Sequence, residues 1–271
     1  DLIEQMYRAA DNIGVVLVVG ALVSTRKEQQ TVDEMLGYRT GAFILVGANL
    51  SDTGLGRVTR QVPVIEIGRG SASGTTDVVR TSSNTGTELA VDHLVGLGHR
   101  MISFVEGSNM PGARDRRTGY TTAMTRHGLK ANIHSLPGDY TEEGGSQAAR
   151  QLLDRDQLPT AVIASNDQSA VGALMTFSRA GLKIPEDISI VGYDDSWISR
   201  LSYVNMTTVR QNAAALAHTA LEVAAERMAG AEGPRRELLL GPELVVRGST
   251  GPPRADSGAL LTNNDLTSSP K

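Results

Sequence analysis

Short apolar runs alternate with amphipathic stretches along most of this chain, and that alternation constrains its fold more than any other feature. Apolar runs at 15–19, 42–46, 62–67, 101–105, 161–164 and 188–191 have strand length, and a further short strand is expected at 204–208. Between them, helical spacing is expected at 1–12, 25–36, 85–97, 116–127, 145–153, 170–180 and 212–229. Strands that alternate with helices build parallel sheets covered on both faces. Two such series are expected, one before about residue 81 and one after it. The helix at 212–229 follows the second series and could return to the first. The third helix is expected to open on a capping box, Thr85-Gly86-Thr87-Glu88, and to stop at Gly98. Residues 251–271, rich in Pro, Ser, Thr and Asn, are expected to form a disordered tail.

Composition excludes several function classes. The chain has 271 residues, 40% of them apolar, enough for a large core in one domain or two. Its formal net charge is −4, a poor match to a chain whose main task is gripping phosphates. There is no cysteine, so disulfides, thiolate metal sites and a cysteine nucleophile are excluded. The apolar run 15–23 is too short to span a bilayer, and the charged opening Asp1-Leu2-Ile3-Glu4 lacks the apolar stretch of a signal peptide.

Enzyme signatures fail one by one. Gly70-Ser71-Ala72-Ser73-Gly74 has the outline of a nucleophile elbow, but Ala72 stands where the serine is required. Gly68-Arg69-Gly70 lacks the third glycine of a dinucleotide loop, and no phosphate-loop lysine occurs. None of the five histidines stands in a zinc-binding spacing, so no metal and no cofactor is expected. His99, after Gly98 at a helix end, reads as structural.

The polar residues at strand ends carry more. In open parallel sheets, ligands bind outside the carboxyl ends of strands. Ile188–Val191 runs into Gly192, where a turn is expected, and then delivers Asp194 and Asp195. Asn166 and Arg69 also follow strands, and Tyr140 follows a probable one. A carboxylate, an amide, a guanidinium and a ring face suit a sugar, polyol or nucleoside. Each has a plainer alternative: Asn166 could cap the next helix, Asp195 a turn, and Arg116 could be a surface residue.

Several stretches together resemble the effector-binding core of the lactose/galactose-repressor (LacI/GalR) family of transcriptional regulators. They are the segment from Asn84 and Gly86 through His93-Leu94 to Gly98-His99-Arg100, Arg116-Arg117-Thr118-Gly119-Tyr120, and Ser165-Asn166-Asp167 through Gly172-Ala173. The most specific is Ile184-Pro185-Glu186-Asp187 through Gly192-Tyr193-Asp194-Asp195. Thr207-Thr208-Val209-Arg210-Gln211 and Leu244-Val245-Val246-Arg247-Gly248-Ser249-Thr250 complete the match over about residues 1–250.

The resemblance implies an α/β fold of two Rossmann-like lobes with parallel sheets joined by a multi-crossover hinge, as in type I periplasmic binding proteins. The first lobe would comprise 1–81 plus 212–240, and the second 82–211 plus 241–250. It implies a small-molecule effector in the cleft, a sugar, sugar phosphate or nucleoside. Matched by position, ligand contacts fall on Arg69, Arg116, Tyr140, Asn166, Asp194 and Gln211, with Tyr193 and Trp197 as further cleft-lining candidates. It further implies a cytoplasmic homodimer whose operator contact is made by a helix-turn-helix absent from these residues. Such a regulator is not an enzyme and has no membrane partner. The family's first strand is also missing, so these residues are expected to be trimmed from a longer polypeptide. Asn205-Met206, Ser83 and Ala217 depart from the family pattern. A periplasmic sugar-binding protein of a transporter is the alternative with the same fold; an enzyme on a similar fold lacks any supporting constellation.

Overall fold

The computed structural model describes residues 2–21, 27–48, 50–68, 74–108 and 112–255. In chain order the elements of the first series are α1 (Leu2–Ile13), α2 (Glu28–Leu36), β1 (Phe43–Val46), α3 (Asp52–Thr59), β2 (Val64–Ile67) and β3 (Asp77–Thr81). The second series is α4 (Ser83–Gly96), β4 (Ile102–Val105), α5 (Ala113–Arg126), β5 (His134–Leu136), α6 (Glu142–Leu153), β6 (Ala161–Ala164), α7 (Asp167–Arg179), β7 (Ser189–Asp194) and β8 (Thr207–Arg210). Then follow α8 (Ala213–Met228), β9 (Glu237–Leu240) and β10 (Glu243–Val245).

These strands form two sheets. The first has the order β1-β2-β3-β9, all parallel, with Ile65 opposite Asp77 and Val79 opposite Leu238. The second has the order β10-β8-β7-β6-β4-β5, parallel except for the β10–β8 pair. Both faces of each sheet are covered. On the first, Ile65, Ile67 and Val79 pack under Ala217, Ala220 and Ala224 of α8, with α1 alongside. Phe43, Leu45 and Val64 pack under Val32, Leu55 and Val58 on the other face. On the second sheet, α6 and α7 cover one face around Leu152 and Phe177, and α4 and α5 cover the other around Leu94 and Tyr120. Strands buried on both faces need continuous apolar runs, which is why β4 and β6 read so plainly in sequence.

Three segments cross between the sheets: 81–83, 210–213 and 240–243. At the first of these the Ser82 amide donates to the Leu240 carbonyl at 3.0 Å, tying two crossings together. Helix packing on the second sheet is close. A Cβ on Gly145 of α6 would overlap the Ser169 carbonyl of α7, and one on Gly172 would overlap the Glu142 carbonyl.

Several expectations need correction. Residues 15–19 form no strand. A strand needs a hydrogen-bonded neighbour, and none pairs with this run among the described residues; Val16 is 92% exposed. Helix α3 was hidden by Gly54 and Gly56, although its Ser51 cap accepts from the Gly54 amide. Strand β3 was hidden by its polar ends, Asp77, Arg80 and Thr81. Helix α4 starts at Ser83, two residues before the expected capping box. Gly192 is no turn: it lies inside β7, where a Cβ would overlap the Asp167 carboxylate. The expected tail begins too early. The Gly251 carbonyl accepts from His99 Nε2 at 2.9 Å, and the Arg254 guanidinium donates to the Leu158, Pro159 and Asp187 carbonyls at 2.6–3.0 Å. The rest of that stretch, 256–271, lies outside the described residues, as do 22–26 at the expected start of α2.

Candidate functional site

The carboxyl ends of both sheets face one cavity of about 340 Å³. That lies near the lower end of the range for small-molecule sites, roughly 300–1,000 Å³. The ends of β1 and β2, at Val46-Gly47 and Ile67-Gly68, form part of its first wall, with Leu2 and Leu216 beside them. That wall is apolar. The opposite wall, from the second sheet, holds Arg116, Asp194 and Trp197. Gln211 enters from the second of the crossing segments.

Asp194 ends β7 with φ of 111°, and Asp195 follows with φ of 50°. Residues other than glycine pay about 1–3 kcal/mol for such backbone, so the fold must hold it in place. Asp195 supplies the hold. Its side chain is fully buried and accepts from Arg247 Nη2 at 2.6 Å, Arg210 Nε at 2.7 Å and Arg200 Nη2 at 3.4 Å. Burial alone would raise the Asp195 carboxyl, but these guanidinium partners hold it below the usual carboxylate range.

Asp194 faces the other way. Its Oδ1 accepts from Gln211 Nε2 at 2.7 Å and from Arg116 Nη2 at 3.4 Å. Among the described residues nothing donates to Oδ2, and 36% of the side chain is exposed. Burial pushes the Asp194 carboxyl up, with Arg116 and Gln211 pulling against it.

Arg116 projects from the first turn of α5 with its side chain 6% exposed. Its guanidinium carbon lies 3.8 Å from the Tyr193 ring centroid and 5.4 Å from that of Tyr140. Nη1 donates to the Ser165 carbonyl, while Nε, buried, has no partner among the described residues. Burial opposes the charge, but Asp194 and the two tyrosines outweigh it and raise the Arg116 guanidinium further.

The remaining expected residues separate. Tyr193 is buried and lies beneath Arg116, its hydroxyl 3.5 Å from the Ser83 carbonyl, so it is not a lining residue. Asn166 caps α7: its Oδ1 accepts from the Ser169 amide at 2.8 Å. Its Nδ2 donates to the Tyr140 carbonyl at 2.8 Å, so it holds Tyr140, which has φ of 68°. Neither Asn166 nor Tyr140 is among the lining residues. Arg69 lies outside the described residues, directly after Gly68 on the first wall. Sequence reasoning missed Thr81 and Ser83, which line the cavity at the first crossing, and the apolar contributions of Leu2 and Leu216. The strand-end rule that found Asp194 would have found Thr81 had β3 been recognised.

No group of three or more acidic or histidine side chains suited to a metal occurs among the described residues, and no described helix is long and apolar enough to cross a membrane.

Comparison with known proteins places this geometry. A family model described as a periplasmic binding protein-like domain matches residues 91–250. The chain is 29% identical over 254 residues to the HTH-type transcriptional repressor CytR of Escherichia coli K12, covering 92% of this chain and 74% of that protein. A crystal structure of a LacI transcriptional regulator from a Rhodococcus species superimposes with a TM-score of 0.90 at 38% identity, over 94% of each chain. A LacI-family regulator from Enterococcus faecium with bound ribose gives a TM-score of 0.79 at 27% identity, over 93% of this chain and 94% of that one.

Proposed function

We propose, from the premise that this chain belongs to the LacI family of transcriptional regulators, that its interlobe cavity binds a polyhydroxylated effector, a sugar, sugar phosphate or nucleoside. The chain is the effector-binding core of a transcriptional regulator and not an enzyme. Its fold is that of periplasmic binding proteins, yet its relatives are regulators, so the transporter alternative is not favoured.

One observation carries the ligand reading: Asp194 presents on the cavity wall an Oδ2 to which no described residue donates, while its Oδ1 is fixed by two donors. A carboxylate in that state accepts from a ligand hydroxyl without reorganising. Arg116 and Asp194 are the ionisable lining residues among those described, and their charges cancel. The apolar first wall suits the less polar face of a sugar ring or a base. The ribose bound to the Enterococcus faecium relative is consistent with this class. Arg116 fixes Asp194 on the second wall, and Gln211 orients it from the crossing segment.

The effector shifts the balance between lobe arrangements by its differential affinity for them. The chain works in the cytoplasm as a homodimer. Operator contact belongs to a helix-turn-helix outside these residues, and lobe orientation sets the spacing of the two DNA-reading heads.

The single tryptophan, Trp197, lines the cavity and reports directly. Titration with pentoses, hexoses, disaccharides and nucleosides is expected to change its fluorescence saturably for one member of the panel. Asp194→Ala is expected to weaken that response about 30-fold or more while the protein still unfolds cooperatively. Unchanged affinity in the variant would remove Asp194 from the site.

A further inference from the structure

Arg80 joins the two lobes through a contact that the cavity itself does not use. It lies on β3 of the first sheet, one residue before Thr81. Its Nε donates to Glu237 Oε1 on β9 at 2.7 Å. Strand β9 is paired with β3, so this contact lies within one sheet. Its Nη1 donates to Asp115 Oδ2 at 3.2 Å. Asp115 belongs to α5, which is packed on the second sheet, so this contact crosses between lobes. Asp115 is also the residue immediately before Arg116 in the first turn of α5.

We propose that Arg80 is a positioning residue for the effector response. It straps the first turn of α5, and Arg116 with it, to the first sheet, and Glu237 competes for the same guanidinium. The role in effector response rests on the cavity being the effector site. The strap itself rests on the two ion pairs alone.

The physics fixes the sign of each perturbation. A guanidinium shared between two carboxylates divides its donors between them. Losing Asp115 leaves Arg80 bound within its own sheet and frees the lobes to separate. Losing Glu237 leaves the whole fork to Asp115 and tightens the strap. The side chains of Arg80, Asp115 and Glu237 are 27%, 48% and 43% exposed, so each effect is modest and salt-sensitive. Nearby charges on α5 do not reverse this: Arg117 faces Glu106 at 3.3 Å rather than Arg80.

The absence of cysteine makes the test direct. Thr53→Cys and Glu142→Cys place dyes on exposed first-turn positions of α3 and α6, one on each lobe. Energy transfer is read in labelled protein diluted into unlabelled protein. Asp115→Asn is expected to lower the ratio of close to separated lobes about two- to fivefold at low salt, and Glu237→Gln to raise it by a similar factor. Both differences shrink at about 0.5 M salt. A ratio unmoved by either variant, or moved in the same direction by both, overturns the strap; melting curves on the same samples confirm folded protein. Ribose titration of the same samples separates the two proposals. If the variants move the ratio oppositely but neither ribose nor any sugar or nucleoside of the panel moves it, the strap stands and the effector reading falls. If a ligand closes the lobes while the variants change nothing, the strap falls and the effector reading stands.

Discussion

The Arg116 guanidinium carbon lies 3.8 Å from the Tyr193 ring centroid, while its Nη2 reaches Asp194, the next residue in β7. Adjacent residues on one strand therefore grip one arginine from two directions, ring below and carboxylate beside. The guanidinium needs both its plane and its fork to meet them. Arg116→Lys keeps the charge and loses both features. We expect at least a tenfold weakening of effector binding, about 1.4 kcal/mol, in the Trp197 titration. Equal affinity for the lysine variant would show that charge alone suffices.

Asp195 holds the turn that presents its neighbour. Its carboxylate is completely buried among Arg200, Arg210 and Arg247, and Arg247 is itself only 16% exposed. Removing one partner from a buried charged cluster costs about 3–5 kcal/mol. Asp195→Ala is expected to fall in that range in urea unfolding, in contrast to a smaller loss for Asp194→Ala, whose side chain is 36% exposed and has Arg116 as its one charged partner among the described residues. Two consecutive aspartates would then differ in kind: one measured by stability, the other by binding. Equal loss of stability in both variants would contradict the division.

Asp167 makes stability depend on pH in the opposite sense to most carboxylates. Burial, with the nearby Asp194 carboxylate adding to it, pushes its carboxyl up to about 6, although Thr208 Oγ1 and the Ser196 amide and hydroxyl donate to it. A folded value above the unfolded value of 3.8 means the folded state binds the proton more tightly. Its contribution is fully present below about 4 and is lost as pH rises through about 6. The size is roughly 2–3 kcal/mol at most, from two units of displacement. Asp77 and Asp195, held low by arginines, act oppositely and lose their contributions as pH falls below about 4. Urea midpoints of Asp167→Asn should lack the wild-type rise between pH 7 and pH 5. The same slope in both proteins would place the titration elsewhere.

Gly145 is a test of close packing. In an exposed helix, glycine to alanine gains up to about 1 kcal/mol. Here the added methyl meets the Ser169 carbonyl of α7. Gly145→Ala is expected to destabilise by about 2 kcal/mol or more in thermal unfolding, because helix backbones cannot part without opening the core around Ala148 and Ala173. A stabilised variant would show that α6 shifts freely.

Strands β4, β6 and β7 of the second sheet were legible because they are short, mainly apolar runs, whereas β5 and β10, with His134 and Glu243, gave no such signal. The ladder spoke less clearly where chemistry and geometry diverge. The run at 15–19 has the composition of a strand, but composition cannot supply the neighbour that makes one. Gly54 and Gly56 lower the helical signal of α3, and only the Ser51 cap marks its start. Gly192 read as a turn because glycine permits one; the actual reason is the side chain of Asp167, 25 positions away in sequence and in contact in space. At the site, Asp194, which strand-end logic found, converges with Arg116 and Gln211, which only the family resemblance pointed to. Asn166 shows the limit of that logic, since the amide that could meet a ligand is used at both ends by the Ser169 amide and the Tyr140 carbonyl.

Arg254 determines where this polypeptide can be cut or joined. Its guanidinium closes three main-chain carbonyls, those of Leu158, Pro159 and Asp187, on two different loops of the second lobe. A stop codon or fusion junction placed after Thr250, where the last recognisable motif ends, strips those acceptors of their donor. It also removes the Gly251 carbonyl that receives His99. A junction placed after Ala255 leaves all four bonds intact. The practical border of the domain is therefore set by one side chain, Arg254, beyond the border at Thr250 that composition suggests.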